Sequence, residues 1–174
     1  MDEQKAMSMA AQLRKPHGEW AEQIADFMAV GNAVLINRAI DAMNLSDNDN
    51  VLEIGMGKGK HVADMIAKAK NLQYTGYDYS EEMVELATAT NDELVTRNVA
   101  TFVHGDALSM PFAEDTFDKI VTVNTVYFWD DAQAVATEIL RVLKPNGKFI
   151  LGLRPERLMK TYPMTKFGFA MYSK

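Results

Sequence analysis

Twelve consecutive residues limit this chain more than any others: Val51-Leu-Glu-Ile-Gly-Met-Gly-Lys-Gly-Lys-His-Val62. The apolar run Val51, Leu52 and Ile54 carries one carboxylate, Glu53, and gives way to Gly55, Gly57 and Gly59. Val62, Met65, Ile66 and Ala69 then recur at helical spacing. Strand, glycine turn and helix open a nucleotide-binding α/β unit, whose glycines turn sharply and lay bare backbone against a ligand. A dinucleotide fingerprint would put its third glycine at position 60, which is Lys60 here. Gly-x-Gly-x-Gly, with an acid two residues upstream, points away from NAD.

The same alternation continues downstream. Leu72–Tyr77 reads as a second strand ending at Asp78, nineteen residues past Gly59. A doubly wound fold places an acid there to accept two hydrogen bonds from a ribose diol. Tyr79 can lay its ring on a base, and Ser80 caps a helix with Glu81 and Glu82 in its first turn. Met83, Leu86, Ala87 and Leu94 supply that helix's buried face. Val99–Val103 is a third strand running into His104-Gly-Asp-Ala107. Gly-Asp is also a plain turn, but its place in series with Glu53 and Asp78 favours a ligand contact at Asp106 and Ala107. Phe117–Asn124 is nearly continuous in apolar residues, as a central parallel strand should be. Asp130 or Asp131 starts a helix with core face Val135, Ile139, Val142 and Leu143, which Pro145-Asn-Gly147 stops. Lys148–Leu153 is a fifth strand, with Arg154 at its end. Every polar landmark thus follows a strand's C-terminal end, where open parallel sheets bind ligands.

Upstream of the first strand, residues 1–15 read as loosely ordered and Leu13–Gly18 as a turn or docking loop. Two helices are expected, separated at Gly31-Asn32. Trp20, Ile24, Phe27 and Met28 share a face of the first; Leu35, Ile36, Ala39, Ile40 and Met43 share one of the second. They read either as packing against the sheet or as a lid, and Trp20 with the Arg14-Lys15 pair favours the lid. The expected division is therefore a helical cap over 1–48 and a cofactor domain over 49–174.

Composition excludes several classes. A net charge of −6 argues against a nucleic-acid partner. With no cysteine there is no disulfide framework, thiolate nucleophile or Cys-ligated metal, and the scattered His17, His61 and His104 suggest no metal site. No stretch of eighteen apolar residues suggests a membrane span, and the polar start Met1–Lys5 suggests a cytoplasmic protein without a leader.

From Asn50 to Leu153 the chain resembles the class I S-adenosylmethionine-dependent methyltransferases, and is similar to their small-molecule, ubiquinone/menaquinone-biosynthesis-type branch. Five motifs carry the resemblance: Glu53–Gly59, Tyr77-Asp78, Gly105-Asp-Ala107, Phe117–Asn124 and Leu143–Gly147. It implies an enzyme that uses S-adenosylmethionine, releases S-adenosylhomocysteine and methylates a small molecule. Glu53 and the backbone of Gly55, Gly57 and Gly59 would meet the cofactor's methionine moiety. Asp78 would take the ribose hydroxyls, with Tyr79 beside the adenine. Asp106 would accept the adenine amino group next to the Ala107 backbone, and the Asn124 backbone would border the methionine end. A sulfonium methyl is already activated, so transfer depends mainly on positioning, and no general base stands out. Trp20, Tyr127, Phe128 and Trp129 are candidates for a substrate wall, and Arg154 with Arg14-Lys15 for holding an acidic substrate.

Neighbouring chemistries are disfavoured. Asn124 is followed by Thr125-Val-Tyr127 and not by the Pro-Pro-Tyr of amino-methylating DNA enzymes. Without cysteine, neither a cytosine C5 adduct nor a radical iron–sulfur cluster is available. The alternative is a binding module for the same cofactor without turnover. The resemblance implies a Rossmann-like α/β fold, a mainly parallel sheet of order 3-2-1-4-5 with helices on both faces. The family's strands six and seven are expected to be missing. Strand five is then an edge, and an apolar tail over 155–174 is expected to pack on its own subunit or a partner. Homo-oligomerisation through that edge is expected too.

Overall fold

The computed structural model describes residues 2–173, and its centre is a five-stranded, wholly parallel sheet. The strands are β1 (Asn50–Ile54), β2 (Gln73–Asp78), β3 (Ala100–His104), β4 (Phe117–Val123) and β5 (Leu143–Gly152). Their order is β3-β2-β1-β4-β5, as the sequence suggests. The chain reverses direction of travel between β1 and β4, which creates the crevice at their C-terminal ends.

Alternation along each strand builds two cores. On one face Val51, Tyr74, Val121 and Val123 meet Leu35, Ile36, Ala39, Ile40 and Met43 of α2 (Ala21–Met43) and Val62 and Met65 of α3 (Val62–Ile66). On the other, Leu52, Ile54, Phe117 and Ile120 meet Val135, Ile139 and Val142 of α6 (Ala132–Val142). Central β4 is covered on both sides, with Ile120, Val121 and Thr122 all buried. Burying each large aliphatic of this kind contributes roughly 1.5–3 kcal/mol. Ser80 and Asp131 cap α4 (Glu81–Thr90) and α6 by accepting from the Met83 and Ala134 amides. Leu94 lies beyond α4 on a separate short helix, α5 (Asp92–Thr96).

Three expectations need correction. Residues 3–14 are not loose: they form α1 (Glu3–Arg14), capped by Asp2, with Ala6 and Ala10 buried one turn apart. α2 does not break at Gly31-Asn32 but runs for 23 residues. A helical glycine costs only about 1 kcal/mol, which packing of the rest of the helix on the sheet outweighs. Lys144–Gly147 does not separate helix from strand. The chain enters β5 straight from α6, and the register with β4 slips between Phe117 and Lys119, where 144–147 loop out.

The segment after β5 folds back on its own subunit. It forms α7 (Glu156–Met159) and a 3₁₀ turn at Pro163–Lys166, against which α1 packs. Ala170 donates to the Tyr127 carbonyl, and the rings of Phe169 and Phe128 meet at 4.6 Å. β5 pairs with β4 alone, so its other edge carries no strand. Among the described residues, no helix is long and apolar enough to cross a membrane.

Candidate active site

Parallel strands bring their C-terminal ends to one side, and there a cavity of 470 Å³ opens. Glu53, Gly55, Gly57 and Gly59 border it from β1 and its turn; Asp78 and Tyr79 border it from β2. Asp106 and Ala107 follow β3, Asn124 follows β4, and Arg154 follows β5. Tyr127, Phe128 and Trp129 line the side formed after β4. Trp20, expected on the substrate wall, does not reach the cavity: it is 63% exposed, just ahead of α2.

The glycines divide in role. Gly57 sits at φ +56°, and a Cβ there would have no atom within 4 Å, so its backbone faces open space. Gly55, at φ +77°, has no such room, because a Cβ would run into the Thr125 methyl. The first glycine therefore serves packing and the second leaves a cradle.

Asp78 sits against that cradle. Its Oδ2 accepts from the Gly57 amide at 3.1 Å and its Oδ1 from the Ser80 amide at 2.9 Å. Burial pushes its carboxyl up to about 6, and the nearby Glu53 charge adds to this, against the lowering effect of those amides. Glu53 is only 2% exposed; its Oε2 accepts from Tyr74 Oη and from His61 Nε2, each at 2.7 Å. Tyr74 and His61 were not singled out by sequence as site residues. The available signal was position: His61 stands two residues beyond the last glycine, and Tyr74 is an inward aromatic on the neighbouring strand.

Asp106 is exposed. Its Oδ1 accepts from the Leu108 amide, and its carbonyl accepts from Tyr77 Oη. Lys15 lies over the Tyr79 ring at 4.7 Å. Asn124 takes a left-handed φ of 60° and donates from Nδ2 to Asn32 Oδ1 on α2. Buried Tyr127 donates to Asn124 Oδ1 or the Arg154 carbonyl, each at 3.0 Å, and accepts from the Arg154 amide.

Several of these contacts reach α1, α2 and the loop between them. Arg14 Nη2 meets Asp130 Oδ2 at 2.7 Å, Ser80 Oγ donates to the Pro16 carbonyl, and Lys58 and Lys60 pair with Glu22 and Asp26. Arg154 Nη2 donates to the Gly31 carbonyl at 2.6 Å. These polar contacts tie α1, α2 and the loop between them to residues beside the cavity. The C-terminal segment contributes Met159, Tyr162, Met164 and Phe169 to the same cavity, residues that a strand-end motif search does not find. No cluster of metal-ligating side chains occurs among the described residues.

Fold and cavity together define an open α/β sheet with its pocket past the C-terminal ends of the strands, the ligand-binding place of doubly wound folds. Residues 52–151 match the model of the methyltransferase domain family, and the chain belongs to that family. It is 29% identical over 142 residues to YdaC, an uncharacterized methyltransferase of Bacillus subtilis (strain 168), covering 81% of this chain and 76% of that one. It is 30% identical over 139 residues to the 27-O-demethylrifamycin SV methyltransferase of Amycolatopsis mediterranei (strain S699), covering 78% and 49%. The chain therefore spans about half the length of the second of these relatives. Among solved structures, a chain from the complex with the Haloferax volcanii Trm112 methyltransferase activator superposes with a TM-score of 0.78 at 24% identity, over 88% of this chain and 69% of that one. It supports the fold alone.

The residues present fit S-adenosylmethionine. An open Gly57 backbone and a carboxylate able to face a diol suit the cofactor's ribose, and the cavity's mix of acids and bases suits a zwitterionic amino-acid end.

Proposed function

We propose that this methyltransferase binds S-adenosylmethionine in the 470 Å³ cavity and methylates a small, largely apolar acceptor. The observation that carries the reading is that Asp78, Asp106 and Asn124, at the ends of three parallel strands, border one cavity with the open backbone of Gly57. When bound, the cofactor supplies a sulfonium methyl: an acceptor lone pair forms the new bond, and sulfur keeps the electron pair of the old one. The chain's own work is positioning. Asp78 would leave the Gly57 amide and take the ribose hydroxyls. Asp106 and the Ala107 backbone would hold the adenine edge, and Tyr79 would flank the ring opposite Lys15. The Asn124 backbone would limit the methionine end.

The acceptor side is supported by Tyr127, Phe128, Trp129 and the C-terminal Met159, Met164 and Phe169. Their surface is apolar and, through methionine, adaptable. Arg14 is already paired with Asp130 and Lys15 stacks on Tyr79, so neither favours an acidic substrate; Arg154 spends one donor on Gly31 and keeps others. A hydroxyl acceptor is in keeping with the rifamycin-modifying relative. Residues 1–48 would act as a cap over a domain of 49–174, releasing product when their polar ties open. A cytoplasmic site of action suits a chain without cysteine. Homo-oligomerisation through the unpaired edge of β5 is also proposed, with sedimentation at micromolar concentration as its check.

The direct test is calorimetry with S-adenosylhomocysteine, followed by release of S-adenosylhomocysteine from S-adenosylmethionine across a panel of apolar alcohols, phenols, thiols and amines. Binding without any acceptor-dependent release would favour a module without turnover. No binding would remove the reading.

A further inference from the structure

Glu53 is the acidic landmark with least to offer a ligand. It is 2% exposed; Oε2 is engaged by Tyr74 Oη and His61 Nε2, and Oε1 lies 3.0 Å from the same imidazole nitrogen. An incoming ammonium would have to displace the imidazole from a buried carboxylate, and breaking such a pair is costly. The ring of His61, in contrast, uses only Nε2. Its Nδ1 has no partner among the described residues. No fully buried side-chain nitrogen or oxygen among them lacks a hydrogen bond, so this unpaired atom keeps some accessible surface. His61 is half-buried and borders the cavity at the end of the glycine turn.

We propose that His61, oriented by Glu53 and Tyr74, binds the carboxylate of the cofactor's amino-acid end through its second ring nitrogen. Glu53 is then a positioning residue and not the direct partner of the ammonium. The inference rests on the cofactor reading above. The turn's other cations are committed elsewhere, Lys58 to Glu22 and Asp26 and Lys60 to Asp26, all on α2. Burial alone would push the imidazole down, but the Glu53 carboxylate against it, helped by Asp64, outweighs this and raises it. The pH range in which both ring nitrogens carry protons is thereby extended. The ionisable groups acting on the ring are Glu53 on β1 and Asp64 on α3, with Tyr74 on β2 sharing the Glu53 carboxylate, none of them a competing cation. Imidazolium and Glu53 cancel in charge, so what reaches the ligand is one directed N–H. A carboxylate accepts that bond well.

The experiment compares S-adenosylhomocysteine with 5′-methylthioadenosine, which keeps nucleoside and sulfur but lacks the amino-acid end. His61→Gln keeps a donor for Glu53 and removes Nδ1; His61→Ala removes both. Both variants are expected to weaken S-adenosylhomocysteine by about tenfold or more in calorimetry, with methylthioadenosine unchanged. Wild-type affinity for S-adenosylhomocysteine should fall as pH rises through the imidazole's range, and Glu53→Gln should move that fall to lower pH. Equal losses for both ligands in His61→Gln with a wild-type melting temperature would overturn the proposal, leaving His61 a brace for the turn. Equal wild-type affinity for the two ligands would overturn it while sparing the cofactor reading. A wild-type protein that binds neither ligand would overturn both.

Discussion

Gly55→Ala and Gly57→Ala make one chemical change at two alternate positions, and their consequences should differ. Both glycines hold left-handed backbone, where an alanine costs about 1–2 kcal/mol. At Gly57 the new methyl meets nothing within 4 Å, so strain is the whole stability cost. At Gly55 it runs into Thr125, whose hydroxyl is held against Thr122, and overpacking adds about 1–3 kcal/mol. For a chain of this size each kcal/mol moves Tm by roughly 2–4 °C, so losses of about 2–8 °C at Gly57 and 4–20 °C at Gly55 are expected. Ligand binding should reverse the ranking. The Gly57 methyl projects into the space assigned to the cofactor, whereas the Gly55 methyl points into the protein. Melting followed by circular dichroism, with S-adenosylhomocysteine calorimetry well below Tm, measures both quantities. A Gly57→Ala protein that melts as expected yet binds with wild-type affinity would refute the cradle. A Gly55→Ala protein as stable as wild type would refute the packing role given to Gly55.

Three further outcomes follow from single contacts. The Asp78 carboxyl is raised from 3.8 to about 6 in the fold, so between those values the native state holds more protons, and stability falls as pH rises through them. Asp78→Asn should then stabilise the ligand-free protein at pH 7.5 by about 1–2 kcal/mol, after the loss of one acceptor bond, and give no gain at pH 4. Denaturant melts at both pH values check this, and calorimetry should show the same variant losing cofactor affinity. Tyr127→Phe removes the hydroxyl that joins Asn124 to the Arg154 backbone and should cost about 1–3 kcal/mol in a urea melt. Arg14→Ala breaks a solvent-exposed pair and should change stability by less than about 1 kcal/mol. It should still speed S-adenosylhomocysteine release in stopped flow, and an unchanged off-rate would show that the Arg14–Asp130 contact does not hold the cap.

The sheet and the residues that border its strand-end cavity were legible because parallel strands and glycine turns leave local signatures. β4 reads as a central strand from its nearly continuous apolar run, and Asp78 and Asp106 stand out because one ends a strand and the other comes two residues after the next. The N-terminal region was less legible, since its cues are weak singly. Gly31 looks like a breaker, but a 23-residue helix anchored on the sheet absorbs one glycine. The apolar residues of α1 are mostly alanine and methionine, which announce it weakly, and its burial rests on Ala6 and Ala10 against a turn more than 150 positions away. Trp20 was misplaced for a related reason: helical spacing tells which residues share a face but not which face meets the body. Tyr74 and His61 escaped notice because neither follows a strand end: the parallel register brings Tyr74 to Glu53, and the glycine turn folds His61 back onto it.

This difference in legibility has a physical source. The side proposed for the cofactor is built from backbone amides and short acids at the ends of hydrogen-bonded strands, whose places are fixed by the ladder. The other side is built from Met159, Met164 and Phe169, carried on short turns of the C-terminal segment and held by side-chain packing with one backbone bond from Ala170 to Tyr127. Strand-end geometry tolerates little change, because shifting one member breaks several bonds at once. Packed methionines and phenylalanines accept substitutions of similar volume at small cost. Relatives of this fold can therefore share the first half while differing in the second. That is why the glycine turn and Asp78 point to a cofactor, while the tail points only to an apolar class of acceptor.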